Sequence, residues 1–137
     1  APAVGRGEVA RLRIVGALGG RFDQTLANLF LLALPQLNGL DARLEDGTEE
    51  VFLINESDDV AGRPGDVVSL LPLGGAAHGV STHGLRYPLN NETLFPERSR
   101  GVSNEMIAPL AQVSLERGTL ICIHTRKKEI TYVDETS

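Results

Sequence analysis

The sequence predicts a mainly β fold, an antiparallel β-sandwich preceded by one strand–helix unit. After Gly39 the chain breaks into short aliphatic and β-branched runs separated by turn residues, with no helical run between them. Within that stretch Asp46-Gly47 stands between two strand-like runs, a two-residue hairpin signal. Ahead of it, one β-branched run is followed by a single, almost uncharged helical run.

Arg11 to Leu18 reads as a strand and Thr25 to Leu34 as a helix, entered through Asp23 as N-cap and stopped by Pro35. A strand followed by a helix belongs to a parallel sheet and needs strand neighbours. The helix places Leu26, Leu29, Phe30, Leu31, Leu32, Ala33 and Leu34 on every face, so burial against more than one layer is expected. A division near Asn38-Gly39 separates this piece, residues 1–38, from a β region, residues 39–137.

In the β region, Asp41 to Glu45 and Glu49 to Asn55 flank the Asp46-Gly47 turn. Gly65-Asp66 introduces a strand from Val67 to Leu73, ending at Gly74-Gly75. Further strands are expected over Gly79–Thr82, Leu85–Leu89, Ile107–Leu115 and Leu120–Thr125, with Arg117-Gly118 joining the last two. The tail from Arg126 offers Ile130, Tyr132 and Val133 as an edge strand.

The chain has 137 residues, 42% of them hydrophobic, which suits one compact domain or a small domain plus a fragment of another. Its net charge of −5 is dispersed, leaving no basic footprint for nucleic acid or an anionic membrane. Cys122, the single cysteine, lies in an apolar run and reads as a buried small hydrophobe. Leu26 to Leu34 is too short to span a bilayer, and residues 1–6 carry no apolar secretion core, so a cytoplasmic location is expected. Asn55-Glu56-Ser57 and Asn91-Glu92-Thr93 are then chance glycosylation triplets rather than modified sites. His78, His83 and His124 have no metal-ligand spacing and read as structural or solvated.

The strongest chemical signal is Gly19-Gly20-Arg21-Phe22-Asp23-Gln24, between the first strand and the helix. A glycine pair at such a turn lets backbone approach a ligand closely. An arginine beside it can fork onto phosphate oxygens, and a carboxylate can take a metal ion. The plainer reading makes Arg21 a solvated turn residue and Asp23 a helix cap.

Four stretches in order, Gly16 to Asn28, Gly65 to Leu73, Thr82 to Leu89 and Gly101 to Glu105, resemble thiamine pyrophosphokinase. The resemblance implies transfer of pyrophosphate from ATP to thiamine, giving thiamine diphosphate and AMP with Mg2+. It also implies an α/β nucleotide-binding domain followed by a β-sandwich that binds thiamine and forms a homodimer. Residues 1–38 would then be the terminal strand–helix piece of the first domain and residues 39–137 the second. Aspartate-rich motifs that family members carry further upstream have no counterpart here, so the isolated chain is expected to lack part of the catalytic site.

By the same resemblance, Arg21 and Asp23 are the catalytic candidates, Asp23 is the magnesium ligand, and Gly19, Gly20, Arg21 and Gln24 bind the nucleotide. Arg21 suits phosphate because its planar fork can make two parallel bonds, and hard cations prefer carboxylate oxygen. Ser103, Asn104 and Tyr87 are the thiamine candidates, a hydroxyl and a carboxamide matching an aminopyrimidine edge and an aromatic ring stacking on it. Ser103 and Asn104 equally fit a loop that bonds its own backbone, and a tyrosine such as Tyr87 in a strand is more often simply core or interface packing. Gln24 stands where the family often has histidine, and the chain has no tryptophan, so Tyr87 is the nearest aromatic to the family's tryptophan. The alternative is a non-catalytic β-sandwich that binds thiamine or dimerises. A carbohydrate-binding sandwich finds little support in a chain with two tyrosines and no tryptophan.

Overall fold

Strand alternation builds most of the molecule. The computed structural model describes residues 11–15, 22–33 and 41–128, with side chains described for residues 12–14, 27–33 and 41–128. β1 (Arg11–Val15) leads to α1 (Phe22–Leu32), then β2 (Asp41–Glu45) and β3 (Glu49–Ile54) form the predicted hairpin. Asp46 Oδ1 accepts the N–H groups of Thr48 at 3.0 Å and Glu49 at 2.7 Å, the self-bonding turn chemistry of aspartate, while Gly47 takes φ of 90°. β4 (Ser57–Ala61), β5 (Val67–Pro72), β6 (Ala77–His83), β7 (Glu92–Leu94), β8 (Asn104–Glu105), β9 (Leu110–Ser114) and β10 (Leu120–Thr125) follow.

These strands form a six-stranded sheet, ordered β1-β2-β3-β10-β5-β8, and a four-stranded sheet, ordered β4-β9-β6-β7. Every pairing among the named strands is antiparallel except β1 with β2, which are parallel and linked through α1, as the strand–helix pattern predicted. The β1–β2 register runs from Arg11 opposite Asp41 to Val15 opposite Glu45, so the strand–helix piece and the β region share one continuous sheet. Among the described residues no helix is long and apolar enough to cross a membrane.

The core lies between the sheets. Leu120 and Cys122 of β10 face inward with Phe52, Ile54, Val68 and Leu70, meeting Val60, Val80, Ala111 and Val113 from the other sheet. Alternate residues take the opposite face, where Ile121, Ile123, Leu53 and Val51 pack with Leu29 and Leu32 of α1. Two covered faces explain why β3 and β10 read as nearly continuous apolar runs rather than alternating ones. Burial also settles Cys122 as a core residue whose thiol pKa is pushed well up.

Several elements differ from expectation. The helix begins at Phe22, placing Asp23 inside its first turn rather than at the cap. Only one side of α1 is covered, because Phe30 is 64% and Leu31 44% exposed among the described residues. Leu85–Leu89 is a loop, not a strand. Pro88 has no N–H for a ladder, and Arg86, Tyr87 and Pro88 are exposed between buried Leu85 and Leu89. β4, β7 and β8 went unpredicted, since Asp58-Asp59 disfavours a strand and the other two are very short edges. Arg117-Gly118 carries the chain from one sheet to the other, so the strands it joins do not pair. Most of the proposed tail strand lies outside the described residues; Arg126, Lys127 and Lys128 are irregular.

Candidate functional site

At the outer edge of the six-stranded sheet, β8 pairs with the start of β5, Asn104 opposite Val68 and Glu105 opposite Val67. Paired residues share a face, so Asn104 points with Val68 toward the interior and is 5% exposed. Its Oδ1 accepts the N–H groups of Tyr87 and Glu105, each at 3.0 Å, and its Nδ2 donates to the Tyr87 carbonyl at 2.7 Å. One short side chain thereby holds both peptide groups of Tyr87, much as a neighbouring strand would. The preceding Ser103 takes φ of 58°, a conformation that costs a non-glycine residue energy, and its N–H donates to Ser69 Oγ at 2.9 Å.

Fixed in this way, Tyr87 is 57% exposed and Ser103 is exposed beside it. Ile107 at 60%, Leu110 at 44% and Val102 at 40% exposure lie on the same stretches of chain. Ile107 is tied to the loop through its N–H to the Gly84 carbonyl at 3.0 Å. Arg86 sits 5.5 Å over the Tyr87 ring and 3.4 Å from Glu105, an exposed ion pair that adds little stability but orders both ends of the cluster.

The structure therefore brings together Ser103, Asn104 and Tyr87. Gly19, Gly20 and Arg21 lie outside the described residues. Asp23 and Gln24 lie in the first turn of α1, whose contacts are with β2 and β3 on the outer face of the sheet. In sheet order β10 and β5 stand between those strands and β8, about 15 Å at ordinary interstrand spacing. Among the described residues no group of three or more His, Cys, Asp or Glu could hold a metal ion.

A second polar arrangement escaped the sequence reading. Across the interior face of the large sheet, the Arg43 guanidinium reaches Glu50 at 3.2 Å, Glu50 Oε1 lies 2.9 Å from His124 Nδ1, and Asp66 Oδ2 lies 2.7 Å from His124 Nε2. Arg43 also binds Asp41 at 2.8 Å and Asp58 of the opposing sheet at 3.3 Å, and stacks 3.6 Å over the Phe52 ring. Both ring nitrogens of fully buried His124 face carboxylates, so both must carry protons.

Burial opposes every charge in this row and is outweighed at each end of it. Burial lowers the His124 pKa, but hydrogen bonds to Glu50 and Asp66 raise it above its ordinary value. Burial raises the Glu50 carboxyl, yet the His124 bond and the Arg43 charge hold it down at about 2. Asp66 is likewise held low, against burial, by the Lys127 N–H at 2.8 Å, by His124 and by the Arg63 N–H at 3.1 Å. One signal could have revealed the row, because Leu120, Cys122 and His124 alternate in a single phase and must share the buried face.

Residues 52–120 match the family described as thiamin pyrophosphokinase, vitamin B1 binding domain. A curated thiamine pyrophosphokinase of Bacillus subtilis is 29% identical over 116 residues, covering 83% of this chain and 54% of that protein. The crystal structure of thiamine pyrophosphokinase from Bacillus subtilis superposes with a TM-score of 0.77 at 27% identity, over 86% of this chain and 56% of the other. A thiamin pyrophosphokinase family protein from Enterococcus faecalis gives 0.70 at 28% identity, over 85% and 55%. At 17% identity and a TM-score of 0.68, thiamin pyrophosphokinase from Candida albicans shares the fold. The chain spans about half the length of the curated relative it matches.

Proposed function

Because the chain belongs to the thiamin pyrophosphokinase vitamin B1 binding domain family, we propose that it forms the thiamine-binding part of a thiamine pyrophosphokinase, which transfers pyrophosphate from ATP to thiamine. The observation that carries this reading is the double grip of Asn104 on Tyr87, which fixes the main chain carrying an exposed ring to the strand that Ser103 precedes. Tyr87 stacks on the heterocycle and Ser103 bonds its edge, while Asn104 acts chiefly by holding Tyr87. A preorganised ring spares the ordering cost that a loose loop would incur on binding.

Arg21, Gly19, Gly20 and Gln24 serve the phosphate end in this proposal, with Asp23 as one magnesium ligand and ATP as co-substrate. Magnesium polarises the transferred group and shields its charge when bound. One carboxylate does not satisfy its octahedral shell, and among the described residues no cluster completes it. Residues 1–38 belong to a nucleotide-binding domain in this reading and residues 39–137 to the thiamine domain. Exposed Phe30 and Leu31 support a further layer against α1. The strands separating α1 from β8 favour a homodimer in which thiamine lies between subunits, and exposed Val102, Ile107 and Leu110 supply an apolar rim for it. The location proposed is cytoplasmic.

The match of residues 52–120 to a vitamin B1 binding domain supports one second reading, a non-catalytic module that binds thiamine or dimerises. Calorimetric titration of thiamine, with AMP formation measured separately, separates the two. Turnover supports the kinase, binding without turnover supports the module, and absence of thiamine binding overturns both thiamine readings. In the intact enzyme Arg21→Lys is expected to reduce turnover sharply; unchanged turnover removes Arg21 from the phosphate site.

A further inference from the structure

Beside the buried charge row lies a cavity of about 580 Å³, within the range of small-molecule sites. Its wall includes Arg63, Arg126, Lys127 and Lys128, and among the described residues its only acidic lining residue is Asp66. Such a concentration of cations is unexpected in a chain whose net charge is −5.

The lone carboxylate does not spoil the site for an anion. Asp66 Oδ1 accepts the Lys127 N–H, and Oδ2 accepts the Arg63 N–H and faces the imidazolium of His124. Its charge is spent inward. Arg126 is partly committed, lying 3.6 Å from both Glu45 and Glu50. Lys127 and Lys128 are exposed and, among the described residues, have no carboxylate partner. Gly62 lines the same wall over the Asp66–His124 contact, where a Cβ would lie 2.6 Å from Asp66 Oδ2 and 2.8 Å from His124 Nε2.

We propose that this cavity binds a phosphate-type oxyanion, held chiefly by Lys127 and Lys128 with Arg126 at its side, on a floor that the His124–Asp66 pair keeps neutral. Two exposed ammonium groups flanking a cavity suit a multiply charged phosphate group, which attracts both cations at once. The volume leaves room for a molecule larger than one phosphate, so the ligand is a pyrophosphate or a phosphate carried on a small molecule. None of the residues proposed for thiamine takes part, so failure of either reading leaves the other intact.

The test is calorimetric titration of the full chain with inorganic pyrophosphate and, separately, ATP at low and moderate salt. Wild type is expected to bind one equivalent of pyrophosphate, more weakly as salt rises, and K127A/K128A to lose at least tenfold in affinity. Arg98→Ala, which removes a cation outside the cavity, should leave binding unchanged. Binding of ATP but not pyrophosphate, with the same lysine dependence, keeps the proposal and makes the source nucleotide-borne. No saturable binding of either probe, or equal binding by the double variant, overturns it. Because both lysines are exposed, a matching thermal melt for the double variant excludes loss of fold as the cause.

Discussion

The Asn104 carboxamide bonds the Tyr87 N–H at 3.0 Å and the Tyr87 carbonyl at 2.7 Å, so an edge strand and an exposed loop move as one piece. That coupling places an aromatic ring without placing a strand beneath it. It also makes Asn104 answerable in two measurements at once, stability and ligand affinity.

Asn104→Ala is expected to strip partners from the Tyr87 and Glu105 peptide groups and cost about 1–3 kcal/mol in urea denaturation. Asn104→Asp should lose nearly as much, because it keeps the acceptor but sets a second oxygen against the Tyr87 carbonyl. Thiamine affinity should fall in both variants. Normal stability in Asn104→Ala would show that the loop holds itself.

His124 makes stability depend on pH on both sides. Its pKa is raised above the ordinary 6.5, so its contribution is complete below about 6.5 and is lost as pH rises through the folded value. Glu50 falls from 4.5 to about 2, so its contribution is complete above about 4.5 and is lost as pH drops toward 2. Asp66, lowered from 3.8, follows Glu50 in sign. Melting temperature from this row should therefore be greatest near pH 5 to 6.5. His124→Phe should cost about 3–5 kcal/mol by leaving buried Asp66 without a cation and Glu50 with Arg43 and Arg126 alone, and should flatten the alkaline limb.

Gly62→Ala should act on the same row from outside it. The added Cβ would meet Asp66 Oδ2 at 2.6 Å, His124 Nε2 at 2.8 Å and Met106 Sδ at 2.9 Å, and something must shift. A loss of about 1–3 kcal/mol is expected, with the pH profile narrowed as well as lowered. A purely uniform loss would mean that the methyl is absorbed by Met106 alone.

Cys122 should report global unfolding. It is fully buried in the core, its thiol held protonated by burial, so a disulfide reagent at pH 8 should label it only when the two sheets separate. Labelling rates are expected to rise with urea in step with the main transition. Rapid labelling in buffer alone would place Cys122 in a locally opening segment instead.

Much of the sheet was legible because alternation and turn chemistry coincide there. Asp46-Gly47 fixed one hairpin, and Leu120 to Thr125 appears as β10 with the bounds its apolar run predicts. What stayed hidden was decided by neighbours distant in sequence. Leu85 to Leu89 has a strand's composition, yet Thr82 and Asn104 bond its main chain as a loop. Ser57-Asp58-Asp59 looks like a turn, yet β9 pairs with it and Arg43 meets Asp58. Ser103, Asn104 and Tyr87 were proposed through family likeness, and the structure adds that Asn104, next to Ser103 in the chain, bonds the Tyr87 main chain. Arg43, Glu50 and Asp66 were not, because nothing local distinguishes buried Glu50 from the half-buried Glu49 beside it.

The central place of β10 governs how the chain must be assembled during synthesis. It is the last described strand, yet it fills the gap between β3 and β5, with His124 meeting Glu50 across 74 positions. Until Leu120 to Thr125 leaves the ribosome, those two earlier strands each carry an unzipped border and share no common partner. Nascent chains stopped short of that point would expose adhesive ladders to one another, and the protein's yield in the cell would hinge on chaperone shelter in that interval.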